Sequence, residues 1–73
     1  MWLIMQNGKA INTDMIIEIA IDGSRIIAVA PNAGHVTAAE YDTAKAAEKE
    51  YLNIISALER GKKIHYVNWG PWE

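Results

Sequence analysis

Two histidines, two serines and nine acidic residues are the groups in this 73-residue chain that nucleophilic, acid–base or metal chemistry would draw on. Neither serine sits in the Gly-x-Ser-x-Gly elbow that exposes a nucleophile, so Ser24 reads as a turn former and Ser56 as a solvated helix residue. Glu48 and Glu50 are an acid–base pair by type. On a helix they point about 160° apart, too far round to flank one substrate. Glu18 is a charge inside an isoleucine-rich stretch; it either lies on a solvated face or pairs across a hairpin with Arg25, or else it makes an interface or ligand contact. His35 follows Pro-Asn-Ala-Gly and reads as a strand-edge residue, with a ligand role as its alternative. His65 stands 30 positions further on with no second ligand near either histidine, and cysteine is absent, so neither a metal site nor a cofactor is expected. No Gly-x-Gly-x-x-Gly or Walker spacing occurs. Nothing here predicts an enzyme.

What remains is a binding constellation. Arg60, Lys62 and Lys63 form a basic cluster that either complements the negative end of a helix or holds a small anion. Next to it come His65, Tyr66, Trp69 and Trp72; of these, His65, Tyr66 and Trp69, with Arg60 and Lys62, are the candidates to line a ligand pocket at an oligomer interface. Trp69 and Trp72 either cover a sheet or anchor an interface, since exposed Trp and Tyr are favoured at contacts. Trp2 is expected to complete the core or cap a sheet edge. Leu52 falls outside the apolar arc of its helix and is a candidate for contact with another subunit or a partner.

These residues have to be positioned by few elements. Asn7-Gly8 lies between "WLIM" and "KAI", a signal for a first hairpin closed by a type I′ turn. "MIIEIAI" at 15–21 and "RIIAVA" at 25–30 flank Asp22-Gly23-Ser24, predicting a second hairpin. A two-residue Asp-Gly loop groups Ile17, Ile19, Ile21, Ile26 and Ala28 on one face, whereas a three-residue loop groups Ile17, Ile19, Ile21, Ile27 and Val29 and makes the larger core. In either register the opposite face keeps Ile16 and other apolar groups. Pro31–Gly34 is a turn, and "HVTAAEY" a short further strand. Asp42 or Thr43 can cap a helix over about 43–60, with Ala44, Ala47, Tyr51, Ile54, Ile55 and Leu58 within an arc of about 100° and Gly61 as its stop. "KIHYVNW" has strand composition and can form a last edge strand. The fold class is therefore α+β: one small domain over 1–73, a small antiparallel sheet with one amphipathic helix across one face, and 62–73 as an aromatic tail or edge strand.

Size bears on partners. A chain of 8.1 kDa buries roughly 4,300 Å² of apolar surface, contributing on the order of 110 kcal/mol, and ordering it costs about the same. With no disulfide or metal to add, self-association into a dimer or higher oligomer is the expected remedy, and it would also bury the second sheet face. The net charge of −2 gives no long-range attraction to nucleic acid, which is not expected as a partner. The run "MWLIM" is broken by Gln6-Asn7-Gly8 and is too short for a secretory signal, and no stretch approaches bilayer length, so a cytoplasmic location and no membrane contact are expected.

The order of features, with Trp at position 2, the Asn-Gly turn, "INTDMIIEI", "DGSRIIAV" and then "EYDTAKAAEKEYLNIISALERGK", resembles a loose class of short uncharacterised bacterial and prophage proteins. These open with Met-Trp, carry a β-hairpin sheet, and enter a single C-terminal helix through Tyr-Asp/Lys-Thr-x-x-x-Ala. Tyr41, Asp42, Thr43, Ala47, Leu58 and Gly61 match, and the resemblance covers about residues 2 to 62. Ala44, Lys45 and Ala46 stand where such proteins often carry acidic residues, and the chain continues past Gly61. The resemblance implies a phage or mobile-element setting, and one way to act there is by binding and inhibiting a host protein. The expected function is that of a non-enzymatic, self-associating interaction protein. The alternative is an oligomeric module binding a small molecule or anion beside the aromatic and basic C-terminal segment.

Overall fold

The computed structural model describes residues 1–31 and 34–67. Among the described residues six strands and one α-helix follow in the order β1 (Trp2–Ile4), β2 (Ala10–Asn12), β3 (Glu18–Asp22), β4 (Arg25–Ala30), β5 (Gly34–Glu40), α1 (Ala44–Glu59) and β6 (Ile64–Tyr66). The architecture is α+β, but the strands divide into two sheets of three, ordered β2-β1-β6 and β3-β4-β5.

The first sheet is mixed: β2 runs antiparallel to β1, and β6 parallel to it. Its hairpin is not closed by a two-residue Asn-Gly turn. Gly8 N–H donates to Met5 O and Met5 N–H to Lys9 O, leaving the three-residue loop Gln6-Asn7-Gly8 with Gly8 alone at positive φ (86°). Asn7 keeps an ordinary backbone and uses its side chain, whose Oδ1 accepts from Lys9 N–H. This is a type I turn followed by a left-handed glycine, the favoured three-residue solution for a hairpin. After β2, a single 3-10 turn at Thr13–Met15, capped by Asn12 Oδ1 accepting from Asp14 N–H, takes up residues expected to begin the second hairpin, which delays β3 to Glu18.

In the second hairpin Asp22 pairs with Arg25 and Ile21 with Ile26, so the loop is Gly23-Ser24, with Gly23 at φ 65°. The turn uses glycine at its first central position, as a type II′ hairpin does. The apolar grouping that results contains Ile19, Ile26 and Ala28, and it is Ile26 and Ala28 that are fully buried rather than Ile27 and Val29. Arg25 bonds Asp22 (2.7 Å), its neighbour across the turn, while Glu18 lies opposite Val29, so the expected Glu18–Arg25 pair does not form. The outer face of this sheet sets Glu18, Asp22, Arg25, His35, Thr37 and Glu40 around Ala20, Ile27 and Val29, a polar frame that water can cover. β5 carries an extra residue, Ala38, where the pairing shifts between Ile26 and Ile27. That bulge turns the Ala38 carbonyl toward Gln6 N–H (3.0 Å), and Gln6 Oε1 accepts from Glu40 N–H (2.8 Å), so one glutamine in the first hairpin loop ties the two sheets together.

Thr43 Oγ1 accepts from Ala46 N–H and caps α1. At the other end Gly61 N–H donates to Leu58 O and Lys62 N–H to Ala57 O, with Gly61 at φ 68°, a Schellman stop. The buried helical residues are Ala47, Glu50, Ile54 and Ala57. Relative to the expected arc the buried stripe is turned by roughly 70°, which exposes Ala44 and much of Leu58. The stripe meets Leu3, Met5, Ile26, Ala38, Ala39, Tyr41 and Val67 in one core that both sheets share.

Candidate functional site

The turned helix carries a carboxylate into the core. Glu50 is 1 % exposed, and its Oε2 lies 2.8 Å from His65 Nε2 while its Oε1 accepts from Asn53 Nδ2 at 3.1 Å. Each of the three side chains has a positional cause. Glu50 and Asn53 are three residues apart and so share a helix face, and His65 is the middle residue of β6, directly opposite Leu3 of β1, whose side chain is fully buried. Parallel pairing with β1 thus points His65 inward at α1. An ionised carboxylate can only accept, so in that state the proton of the Oε2–Nε2 contact sits on His65. No buried side-chain nitrogen or oxygen among the described residues lacks a partner.

Comparing Glu50 with Glu48 alone does not reveal this cluster. The signal was available in the spacing: position 50 falls three after Ala47 and four before Ile54, inside an apolar stripe, where a charge needs an internal partner. Chemically the trio fastens β6 to the helix. Ser24 sits in the β3–β4 turn, and among the described residues no group of three or more His, Asp and Glu side chains could hold a metal ion.

The inward turn of His65 decides the opposite face of its sheet. Residues alternate along a strand, so Trp2 and Ile64, paired with each other, and Ile4 and Tyr66, likewise paired, face outward together. Trp2 is 51 % exposed, Ile64 44 % and Tyr66 64 %. Trp2 therefore neither fills the core nor caps an edge; it stands on an open sheet face beside a second aromatic. His65 and Tyr66, expected to line one pocket, lie on opposite faces of β6.

Elsewhere the candidates are separated. Arg60 is the helix cap residue and exposed; Lys62 and Lys63 continue from it, and with Met1, Trp2, Thr13, Asp14 and Leu58 they border an open cavity of about 520 Å³, in which the two lysines outnumber the one carboxylate. Leu52 is exposed on α1 beside Ala46, Glu48 and Lys49, away from the aromatic face. His35 is an exposed residue of β5, opposite Val29. A smaller groove of about 210 Å³ runs between β3 and the second half of α1, walled by Ile17, Ile19, Ile55 and Leu58. Trp69 and Trp72 lie outside the described residues.

Comparison with protein-family models, with curated proteins and with solved structures finds no match. The geometry alone is left to indicate a function.

Proposed function

We propose that this chain is a small non-enzymatic interaction protein, self-associating, that binds another protein through the outer face of the β2-β1-β6 sheet. The observation that supports this is the alignment of Trp2, Ile64 and Tyr66 on one face, each between 44 % and 64 % exposed to water. Aromatic side chains of this kind give large contact area at low entropic cost and dominate protein interfaces. The polar outer face of the β3-β4-β5 sheet makes the contrast, because a solvated face looks like that one and unlike the face carrying Trp2. A phage or mobile-element setting, with a host protein as the partner, and a cytoplasmic location belong to the same proposal; the resemblance described above supports the setting. No described helix is long and apolar enough to cross a membrane.

Host lysate passed over the immobilised protein tests the reading against the variant Trp2→Ser/Tyr66→Ser, whose substitutions are both exposed. The expected result is a specific protein retained by the wild type and released by the variant, with unchanged circular dichroism. Identical retention by both would refute the assignment of this face. A second reading, small-anion binding, is favoured by the cavity that places Lys62 and Lys63 beside Trp2. Tryptophan fluorescence that changes saturably with added phosphate, and ceases to do so in Lys62→Ala/Lys63→Ala, would support it.

A further inference from the structure

We propose that two copies of this chain pair edge to edge through β3, antiparallel about a twofold axis at Ala20, making one six-stranded sheet from two β3-β4-β5 sheets. This gives the self-association proposed above its geometry, and it rests on that reading.

The two-residue turn fixes which backbone groups of β3 are free. With Gly23-Ser24 as the loop, Asp22 and Arg25 form the bonded closing pair, and bonded positions alternate along an antiparallel ladder. Glu18, Ala20 and Asp22 therefore direct their N–H and C=O groups at β4, and Ile19 and Ile21 direct theirs away from it. Among the described residues no hydrogen bond from another element reaches Ile19 or Ile21. The opposite edge of the same sheet is treated differently: Gln6 occupies the Ala38 carbonyl and the Glu40 N–H there. The C-terminal end of the β5 edge is closed in this way by the chain's own side chain and backbone, whereas the β3 edge is bare at Ile19 and Ile21, apolar in the middle, and free of the lysine or proline that blunts exposed edges.

The bare edge is self-complementary in one register. Centred on Ala20, Ile19 of each copy lies opposite Ile21 of the other, so all four outward N–H groups and all four outward carbonyls of the pair of strands find partners. Ala20 meets its own copy where opposed Cα atoms approach to about 4.5 Å, the spacing that suits a small side chain. On the helix side the four isoleucines extend the groove walled by Ile55 and Leu58. On the other face Glu18 stands opposite the partner's Asp22. Arg25, bonded to its own Asp22 at 2.7 Å, neutralises part of the charge of that carboxylate and so reduces the repulsion. Centring the axis on Ile19 instead would set Ile21 opposite Ile17, whose N–H is already given to Val29 O.

The dissociation constant from sedimentation equilibrium tests this with two variants whose effects have opposite signs. Ile21→Pro removes an N–H that serves only the partner, and it is expected to weaken the dimer at least tenfold while circular dichroism shows the monomer folded. Glu18→Lys turns each opposed pair of carboxylates into an ion pair, and is expected to tighten the dimer about three- to tenfold at low salt, less at high salt. A wild-type dimer whose constant is unchanged by either variant would overturn the β3 geometry and leave self-association standing. A wild type that stays monomeric to about 1 mM would overturn both.

Discussion

Removing His65 leaves the Glu50 carboxylate in the core with one partner instead of two. In His65→Ala the carboxylate keeps the Asn53 bond on Oε1 and loses the 2.8 Å contact on Oε2, at a depth where only 2 % of the side chain meets solvent. Leaving a buried carboxylate oxygen without its hydrogen-bond partner costs about 3 kcal/mol, the upper end for a lost partner because the group left behind is an acid. Native stability for a chain of this length is about 4–11 kcal/mol, so the variant is expected to lose a large part of it. Replacing both residues by leucine removes the buried charge as well as its partner, and that double variant is expected to stay within about 2 kcal/mol of the wild type. The two single losses, from His65→Leu and Glu50→Leu, should therefore be far from additive, with a coupling of about 2–3 kcal/mol. Urea unfolding followed by far-ultraviolet circular dichroism measures all four corners of the cycle. If His65→Leu costs under 1 kcal/mol, or the double variant loses the sum of the singles, then Glu50 and His65 do not form a buried coupled pair and the account of how β6 is held is wrong.

Thr43→Ala removes the oxygen that accepts from Ala46 N–H, and is expected to cost about 1 kcal/mol, read as a fall in the urea midpoint with an unchanged slope. Gln6→Ala releases Glu40 N–H at the exposed edge of β5; a loss of about 1 kcal/mol is expected, together with faster amide hydrogen exchange at Glu40 but not at Ile26.

Much of the fold was written in local signals. The β-branched runs either side of Asp22-Gly23-Ser24, the threonine before Ala44 and the glycine after Arg60 all specify neighbours within a few residues, and the structure places the hairpin and helix there. The parts not legible depend on partners far along the chain. Ala47, Ile54 and Tyr51 are compatible with several rotations of α1, and only the docking of two sheets selects the one that buries Glu50 and Ala57. The parallel pairing of β1 with β6 joins residues about sixty positions apart, and the bulge at Ala38 answers to Gln6 in another hairpin. The exposure of Trp2 has the same cause. Hydrophobicity argues for burial, but the face a strand residue takes is set by its pairing, and Leu3, its neighbour, is the one that faces the core.

The buried pair and the exposed face are two consequences of one register. A shift of β6 by a single residue would turn His65 to solvent and drive Ile64 and Tyr66 toward the helix, because side chains alternate along a strand. On hydrophobicity alone that arrangement is the better one: it would bury an isoleucine and a tyrosine in place of a histidine and the buried Val67. What opposes it is Glu50, which would then lose the partner of its Oε2 atom inside the core, at a cost comparable to what burying one large apolar side chain contributes. The carboxylate within the helix stripe thus holds an aromatic and an aliphatic side chain outward next to Trp2. A domain selected only for stability has little reason to keep such a device, whereas one that presents an apolar face to a partner needs something to stop that face from collapsing into its own core.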